Sequence, residues 1–373
     1  MKSLRQVYVI DPFGCVRAYA EVLASHLNAL MPTQLLTTGF KDVRGPRDRG
    51  DGSLNCFFLR HSARLHARAP WLPRPFLKAL GLLEYACLDL PCLRRLRGPE
   101  VLFHWQWVPL PWLTLALLRL LNVPIDVLTS HDPLTKTNGL ALGSAARVVL
   151  HGRSLEAYAL AWDSGLAGKT RVIPHGLLFA TAPSQRRVSK VRRVGFVGLI
   201  KDYKGLETLF AAWRKLDKDP SLRACSLSVS GDCRLQGPAR TAFLESLKAT
   251  PRTQAELRFL SEEGFIERLQ SLDLLVLPYL SAGQSGVALS ALGLGIPMLL
   301  SRTGALPELL EGAKGDWTFE AGDVDALAGK IRVILRMSVK DLRTHKNWLL
   351  QRSSNYDPAG IAKAHLKLYR QKT

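Results

Sequence analysis

Residues 194–205 read VGFVGLIKDYKG, and this stretch decides the fold. Its apolar start predicts a buried strand that ends at Gly198, and a helix is predicted to begin near Leu206. Lys201 and Lys204 lie between the strand and the helix. A glycine at a strand end lets a ligand approach the backbone, and lysines there supply the positive charge that a diphosphate needs. Taken alone, the pattern also fits an ordinary strand–turn–helix with solvated lysines.

A second strand–loop–helix segment lies downstream. Residues 274–277 (LLVL) predict a strand, a small polar loop follows, and a helix is predicted to start near Gly286. The backbone N–H groups of Ser285, Gly286 and Val287 have no acceptor inside such a helix, so with the helix dipole they form a candidate anion site. Alone, this segment is also compatible with an ordinary Ser-capped helix.

Short apolar runs alternate with amphipathic segments on both sides of these motifs. Continuous apolar runs separated by helices predict parallel sheets covered on both faces. The predicted strands are residues 7–10, 35–38, 56–59, 101–104, 126–129, 147–150 and 171–173, then 194–197, 227–229, 257–260, 274–277 and 298–301. The alternation stops in the polar, basic residues 180–193, which are predicted to be a linker.

The chain is therefore predicted to be an α/β protein with two Rossmann-like domains facing a cleft. The expected boundaries are residues 1–180 for the first domain and 181–355 for the second. A C-terminal helix, residues 356–373, is expected to cross back to the first domain.

Composition limits the partners and the cellular setting. The 373 residues include 51 Lys and Arg against 31 Asp and Glu, a net charge of +20, which favours anionic partners. The most apolar stretch, residues 108–128, contains Arg119, Asp126 and three prolines, so no membrane-spanning helix is predicted. Six cysteines without a C-x-x-C pair indicate reduced thiols in a cytoplasmic protein.

The motifs, taken in order, resemble glycosyltransferase family 4, a family of retaining nucleotide-sugar transferases with the GT-B fold. The resemblance is carried by Gly198, Lys201 and Lys204-Gly205, by Gly295-Ile296-Pro297, by the turn from Gly304 to Glu308, and by the stretch Val172 to Gly176. It implies that residues 1–180 bind the acceptor and residues 181–355 bind the nucleotide sugar. It also implies His131, Lys201 and Lys204 as catalytic residues. It implies a donor-binding set of Gly14, Gly198, Gln284, Ser285, Gly286, Val287, Ser290 and Glu308.

The sequence departs from the family pattern at several positions. Two family glutamates, eight positions apart, correspond to Ala282 and Ser290 here. The Gln-Ser-Gly-Val sequence resembles a subgroup associated with bacterial exopolysaccharide assembly. The family arginine after the strand glycine is Leu199, so Lys201 is expected to take its role. The N-terminal glycine loop is reduced to residues 11–14, Asp-Pro-Phe-Gly.

His131 follows a predicted strand of the first domain, and the resemblance implies that it faces the donor sugar and its phosphate. The alternative is a histidine bonded to a local carbonyl. His175 is a weaker candidate, and structural roles are favoured for His104 and His151. The histidines are not at metal spacing, and no metal and no cofactor are expected. Cationic side chains and a helix terminus then replace Mg²⁺.

Residues 41–98 are unusually basic and interleave large apolar residues with the charges. This pattern predicts an anionic membrane surface as a partner, with Trp71, Phe76 and Leu77 expected to insert. The alternative is a solvated basic face over an ordinary core helix. The basic residues are Lys41, Arg44, Arg47, Arg49, Arg60, Arg64, Arg68, Arg74, Lys78, Arg94, Arg95 and Arg97.

These observations predict a retaining, metal-independent enzyme that moves a hexose from a UDP- or GDP-sugar to a glycan acceptor. A lipid-linked acceptor and a peripheral place on the cytoplasmic face of the inner membrane fit the basic stretch. One alternative is a catalytically inactive sugar-nucleotide-binding homologue, and another is a different GT-B activity such as epimerisation. A nucleic-acid-binding protein is disfavoured, because the basic residues are dispersed and no helix-turn-helix, zinc-finger or RNP motif occurs.

Overall fold

A computed structural model of the chain describes residues 4–38, 54–69, 71–131, 136–178, 184 and 188–371. The chain forms two compact units, residues 1–176 with 358–373, and residues 177–357. The change of unit comes four residues before the expected boundary at 180/181. Its physical reason is local, because the Leu177 backbone N–H donates to the Tyr356 carbonyl at 2.9 Å and joins the second unit.

The first unit is built on a seven-stranded parallel sheet in the order β3-β2-β1-β4-β5-β6-β7. Its strands are β1 (Gln6–Asp11), β2 (Thr33–Thr38), β3 (Leu54–Phe58), β4 (Val101–Trp105), β5 (Val127–Ser130), β6 (Arg147–Leu150) and β7 (Thr170–Val172). Its helices before the second unit are α1 (Arg17–Asn28), α2 (Arg60–Arg68), α3 (Arg74–Glu84), α4 (Leu90–Leu96), α5 (Pro111–Leu121), α6 (Lys136–Ser144) and α7 (Arg153–Trp162). A π-helical turn, Tyr85–Asp89, joins α3 to α4, and a 3₁₀ turn spans Ser164–Leu166.

The second unit has a six-stranded parallel sheet in the order β10-β9-β8-β11-β12-β13. Its strands are β8 (Arg193–Val197), β9 (Ser226–Ser230), β10 (Thr253–Glu256), β11 (Leu274–Leu277), β12 (Met298–Ser301) and β13 (Thr318–Phe319). Its helices are α8 (Leu206–Asp217), α9 (Gly237–Lys248), α10 (Glu262–Ser271), α11 (Gly286–Leu294), α12 (Val324–Leu335) and α13 (Val339–Ser353). Four 3₁₀ turns occur among the described residues, at Asp202–Lys204, Pro220–Leu222, Pro307–Leu310 and Ser354–Tyr356.

The predicted strand at residues 257–260 is wrong. The strand is β10, four residues earlier, where the polar sequence TQAE pairs with β9. As an edge strand it pairs on one side and stays partly exposed, so it carries no apolar signal. Leu257 and Leu260 instead pack on the core from the loop that follows. The two-residue strand β13 was not predicted, because it is too short to form a pattern.

The central strands of the second sheet show why the other predictions succeed. Every residue of β11 and β12 is buried, as a strand covered by helices on both faces requires. Side chains at Ser261, Ser285, Asp323 and Ser338 cap the helices that follow them by accepting a backbone N–H. In these elements the apolar runs of the sequence coincide with buried strands, and the capping residues coincide with observed helix starts.

A last helix, α14 (Pro358–Arg370), returns to the first unit and packs on α1. Its Tyr369 hydroxyl lies 2.6 Å from His104 Nδ1 in β4. The Arg147 guanidinium at the start of β6 donates to the Leu368 carbonyl at 2.9 Å. These two contacts anchor the helix to the sheet. No helix within the described ranges combines the length and the apolar character needed to cross a membrane.

Candidate functional site

The loops after β8 and β11 of the second unit are joined by close backbone contacts. Gly205 has φ of 64°, and a Cβ there would stand 1.9 Å from the Pro278 carbonyl oxygen. The Leu280 N–H donates to the Tyr203 carbonyl at 2.8 Å. A Cβ on Gly198 would stand 3.2 Å from Val287 in the first turn of α11. The β8 loop therefore lies directly against the start of α11, and glycine permits that approach.

Lys204 is held between two aromatic rings. Its Nζ lies 3.6 Å from the ring centroid of Tyr279 and 4.8 Å from that of Tyr203. Such cation–π contacts stabilise an ammonium on the ring faces. Burial, helped by the nearby charge of Lys201, lowers the pKa of Lys204 to about 7. The alternative of two solvated lysines therefore does not hold for Lys204, which is half-buried, whereas Lys201 is exposed.

The start of α11 offers unpaired polar groups. The Ser285 hydroxyl accepts from the Ala288 N–H at 3.3 Å and lies 3.3 Å from the Tyr279 hydroxyl. Gly286 and Val287 then supply first-turn N–H groups that have no acceptor within the helix. The Gln284 Oε1 is buried and has no hydrogen-bond partner among the described residues. This hydrogen-bond acceptor thus lies close in the chain to the first-turn N–H donors of Gly286 and Val287.

The turn after β12 closes on the same loop. Gly304 has φ of 51°, and a Cβ there would meet the Ala282 carbonyl at 1.8 Å. The Ala305 N–H donates to the Gly283 carbonyl at 3.1 Å. Glu308 lies half-buried in this turn, and its carbonyl accepts from Arg352 at 2.9 Å. Ser290, one turn into α11, donates its hydroxyl to the Gly286 carbonyl at 2.8 Å.

The structure thus brings together most residues predicted for the second unit. The contacts above connect Gly198, Lys204, Gln284, Ser285, Gly286 and Val287 through shared neighbours. Sequence reasoning missed Tyr203 and Tyr279, the two rings around Lys204. Tyr203 directly precedes Lys204 in the quoted residues 194–205, so an aromatic residue beside a lysine was an available signal there. Tyr279 lies two residues after the end of β11, where the sequence has no lysine beside it.

Four histidines end four neighbouring strands of the first unit. His104 lies in β4, His131 and His151 directly follow β5 and β6, and His175 comes three residues after β7. All four are buried. The Tyr19 ring of α1 packs among three of them, with centroids 5.0, 5.3 and 4.3 Å from His131, His151 and His175. The parallel order β4-β5-β6-β7 makes them neighbours.

Hydrogen bonds connect these side chains. His151 Nδ1 lies 3.0 Å from the Ile173 carbonyl, and His151 Nε2 lies 3.2 Å from His131 Nδ1. His131 Nε2 lies 3.0 Å from Gln106 Oε1, and Gln106 Nε2 lies 3.1 Å from His104 Nε2, which is also 2.7 Å from Thr129 Oγ1. Both ring nitrogens of His131 therefore have partners within the first unit. Gln106 and His151 had no predicted part in this site.

Burial governs the ionisation of this cluster. Desolvation, with repulsion among the rings, lowers the pKa of His131 and of His151 well below the usual range. Desolvation also lowers the pKa of His175 to about 4, against a hydrogen bond to Gly176 that raises it. These imidazoles are neutral at physiological pH. Among the described residues, no group of three or more His, Cys, Asp or Glu side chains is placed to hold a metal ion.

Gly14, predicted to bind the donor, lies in the loop between β1 and α1. It has φ of 60°, and its N–H donates to the Asp11 carbonyl at 3.1 Å. The Asp11 carboxylate is buried and accepts the backbone N–H groups of Cys15 and Val16 at 2.9 and 3.1 Å. This carboxylate therefore satisfies backbone N–H groups just before the start of α1.

We define the basic helical region as residues 60–97, comprising α2, α3, the π-helical turn and α4. Its only acidic residues, Glu84 and Asp89, are buried. Glu84 accepts the N–H groups of His61 and Ser62, both at 2.7 Å, and Asp89 accepts that of Leu59 at 3.0 Å. Its exposed charges are therefore all positive: Arg60, Arg64, Arg68, Lys78, Arg94, Arg95 and Arg97.

Apolar side chains stand exposed in the same region. Trp71 and Phe76 are 79% and 50% exposed, whereas Leu77 is only 4% exposed, so the expectation that Leu77 inserts is wrong. Leu77 lies on the face of α3 that packs against the core, so its side chain is buried and cannot reach a membrane. Leu83, Leu88 and, on the adjacent α5, Trp112 and Leu120 are exposed as well. The predicted basic residues Lys41, Arg44, Arg47 and Arg49 lie outside the described residues.

Comparison with protein families identifies the second unit. Residues 191–337 match the family model described as Glycosyl transferases group 1. That segment contains the β8 and β11 loops, Lys204 and the start of α11. The protein therefore carries a glycosyltransferase domain, as the motifs predict. No curated protein matches the chain in sequence.

Solved structures share the fold over the whole chain. Sucrose-phosphate synthase of Thermosynechococcus elongatus has a TM-score of 0.67 at 18% identity, over 98% of each chain. An E. coli structure described as trehalose-6-phosphate bound with UDP-2-fluoro glucose has 0.73 at 15%, over 99% of each chain. HepE of Anabaena, in complex with UDP and glucose, has 0.71 at 17%, over 98% of this chain and 99% of its own. The fold is GT-B, as the sequence predicts.

Proposed function

We propose that the protein is a retaining, metal-independent hexosyltransferase that uses a nucleoside-diphosphate sugar and a glycan acceptor. One observation carries the proposal. In the segment that matches glycosyltransferases, Tyr279 contacts both Lys204 and the Ser285 cap of α11, and Gly198 lies against Val287 in the first turn of that helix. An ammonium and free helical N–H groups beside an open glycine loop suit a diphosphate.

Catalysis would come from stabilising the leaving group. The bond between the sugar C1 and the phosphate oxygen breaks, the acceptor oxygen bonds to C1 on the same face, and the leaving phosphate oxygen takes the acceptor proton. Negative charge grows on the diphosphate as the bond breaks. Lys204 and the N–H groups at 286 and 287 are aimed at that charge, so they bind the transition state more tightly than the substrate.

We propose UDP as the nucleotide of the donor, because HepE and the E. coli structure are described with UDP or a UDP-sugar. The buried, unpartnered Gln284 Oε1 supports binding of a hydroxyl-bearing ligand, since a sugar or ribose O–H would satisfy it. A thermal-shift panel of UDP, GDP and their sugars tests the base. A ligand at 100 times its dissociation constant should raise the free energy of unfolding by about 2.7 kcal/mol.

Turnover is tested by nucleotide release from UDP- and GDP-sugars, with and without membrane extract as a source of acceptor. Release that depends on one donor supports the transferase. Binding in the thermal-shift panel without release from any donor would instead identify an inactive sugar-nucleotide-binding homologue. Retention is tested by determining the anomeric configuration of the product.

We further propose a lipid-linked acceptor, reached from an anionic membrane on the cytoplasmic side. The basic helical region supports this, because its exposed charges are all positive and exposed Trp71 and Phe76 stand among them. Each Lys or Arg near an anionic surface contributes about 1 kcal/mol, screened beyond a Debye length of about 8–10 Å. The apolar side chains add shallow insertion.

Liposome co-sedimentation tests the membrane proposal. Wild type should bind anionic liposomes at low salt, and physiological salt should release part of it. The triple variant Arg64→Glu, Arg68→Glu, Lys78→Glu should leave the pellet while keeping donor hydrolysis, because all three side chains are exposed in the first unit. Equal, negligible wild-type binding to neutral and anionic liposomes at low salt would refute the membrane partner.

A further inference from the structure

The hydrogen-bond partners of His151 fix its protonation. A backbone carbonyl can only accept, so the His151 Nδ1 that faces the Ile173 carbonyl at 3.0 Å must carry a hydrogen. A neutral imidazole carries one hydrogen, and therefore the other nitrogen, His151 Nε2, has a lone pair. This lone pair points at His131 Nδ1, 3.2 Å away.

The same reasoning about donors and acceptors fixes the position of the hydrogen on His131. Because His151 Nε2 can only accept, His131 Nδ1 must carry the hydrogen between the two rings. A neutral His131 then has its lone pair at Nε2. Burial supports neutrality, since neither ring has an anionic neighbour among the described residues, and the other rings packed around them are Tyr19 and His175.

Gln106 completes the chain. In the structure its amide oxygen faces His131 Nε2 at 3.0 Å and its amide nitrogen faces His104 Nε2 at 3.1 Å. A lone pair at His131 Nε2 requires the reverse orientation, in which the amide is turned by 180° so that its NH₂ faces His131 and its oxygen faces His104. His104 then donates from Nε2, which also lies 2.7 Å from the Thr129 hydroxyl, and accepts at Nδ1 from the Tyr369 hydroxyl, 2.6 Å away. Every donor in the chain finds an acceptor, with no net charge.

We propose that His151 is a positioning residue that holds His131 as its Nδ1–H tautomer, so that His131 offers a lone pair at Nε2 to a substrate hydroxyl. This inference rests on the proposed function for its substrate, a sugar. A lone pair accepts from an O–H and repels a phosphate oxygen, so His131 recognises a hydroxyl and leaves the diphosphate to other groups.

The surroundings of His131 agree with that role. His131 and Gln106 both line a small pocket of the first unit, about 20 Å³ in volume and so with room for one hydroxyl or water, together with Trp107, Val108, Leu128 and Leu142. A hydroxyl that enters there would take the place of the Gln106 NH₂ at His131 Nε2. Gln106 thus keeps the nitrogen satisfied until a substrate replaces it.

Nitrogen-15 NMR of the full chain, labelled at histidine, tests the tautomer directly. In wild type at pH 7.5, the His131 Nε2 should give a pyridine-like resonance and its Nδ1 a pyrrole-like one, assigned by comparison with His131→Asn. The opposite tautomer, or two pyrrole-like nitrogens as in imidazolium, would overturn the proposal. This measurement needs no activity, so it stays decisive if the proposed function fails.

A matched pair of variants tests the consequence for turnover. Both His151→Phe and His151→Gln remove the imidazole donor to Ile173, but only glutamine keeps an acceptor oxygen for His131 Nδ1. UDP release from UDP-glucose should fall in kcat by about tenfold or more in His151→Phe, the scale of losing a supporting hydrogen bond behind an active-site group. His151→Gln should restore most of it. Equal losses in two equally folded variants would show a merely structural role.

Discussion

The two units end their parallel sheets in opposite ways. At the carboxyl edge of the second sheet, Gly198 and Gly205 let the two loops approach closely, and the Gln284 Oε1 has no hydrogen-bond partner in the part of the chain that the structure describes. At the carboxyl edge of the first sheet, histidine side chains fill the space and bond to one another. One edge is open and made of backbone, while the other is packed and made of side chains.

Because of this difference, substitutions at the two sheet edges should have different effects, mainly on function in the second unit and also on stability in the first. Groups left unpaired in the second unit are available to a ligand, so changing them should affect binding and turnover. Groups paired in the first unit hold each other, so changing them should affect folding as well. The predictions below test this division, in order of decreasing free energy.

Lys204→Ala should cause the largest functional loss. It removes the charge that stabilises the departing diphosphate, a contact of about 3–4 kcal/mol, and should lower kcat roughly 10²–10³-fold. The measurement is nucleotide release, with circular dichroism to show that the variant is folded. Lys248→Ala, an exposed lysine on α9, is the control and should change nothing. Near-normal turnover of folded Lys204→Ala would remove this residue from the mechanism.

Tyr369→Phe should act mainly on stability. It removes the hydroxyl that bonds His104 Nδ1 at 2.6 Å and leaves a buried ring nitrogen unpaired, at a cost of about 1–3 kcal/mol. Urea unfolding measures the cost, and UDP affinity should be unchanged. Tyr158→Phe, an exposed tyrosine of the same unit, is the control. Loss of UDP affinity without loss of stability would break the division between the two edges.

UDP affinity should fall as the pH rises above 7. Lys204 has its pKa lowered to about 7, so the free protein loses this charge in that range. A bound diphosphate favours the ammonium, and binding above pH 7 must therefore take up a proton. Above the pKa of Lys204, the affinity for UDP should fall by at most tenfold per pH unit, which is about 1.4 kcal/mol of binding free energy. Calorimetric titration with UDP in buffers of different ionisation enthalpy measures the proton, and Lys204→Met should abolish its uptake.

Chelation should have no effect. Activity in EDTA should equal activity without it, because the lysines and the start of α11 supply the positive charge. Complete loss in EDTA, restored by Mg²⁺ or Mn²⁺, would contradict the metal-independent mechanism.

The sequence predicted the open edge better than the packed one, for a physical reason. An open edge is made by glycines and lysines whose effect is local, so Gly198 and Lys204 could be recognised from their places after a strand. Their aromatic neighbour Tyr279 was missed because the contact joins two loops far apart in the chain. The strand at 257–260 was misplaced because apolar residues of a loop resembled a strand, whereas the polar edge strand β10 did not.

The packed edge depends on strand order, which the sequence does not state. His104, His131 and His151 each follow or end a predicted strand, but whether they meet depends on β4, β5 and β6 being neighbours. The register pairs Ser130 with Leu150, so His131 and His151 come next on adjacent strands. Once a parallel order is assumed, their contact follows. The Gln106 amide and the Tyr369 hydroxyl required the three-dimensional arrangement.

The return of α14 to the first unit has a consequence for synthesis. The bond between His104 and Tyr369 joins residues 265 positions apart, and the whole second unit lies between them. As the ribosome produces the chain from its amino end, residues 177–357 emerge before α14 exists. The second unit can fold as a contiguous piece, whereas the first must wait with α1 and the His104 side chain of β4 uncovered. The nascent first unit is therefore the stage at which a chaperone would be needed, and it is completed last although it is made first.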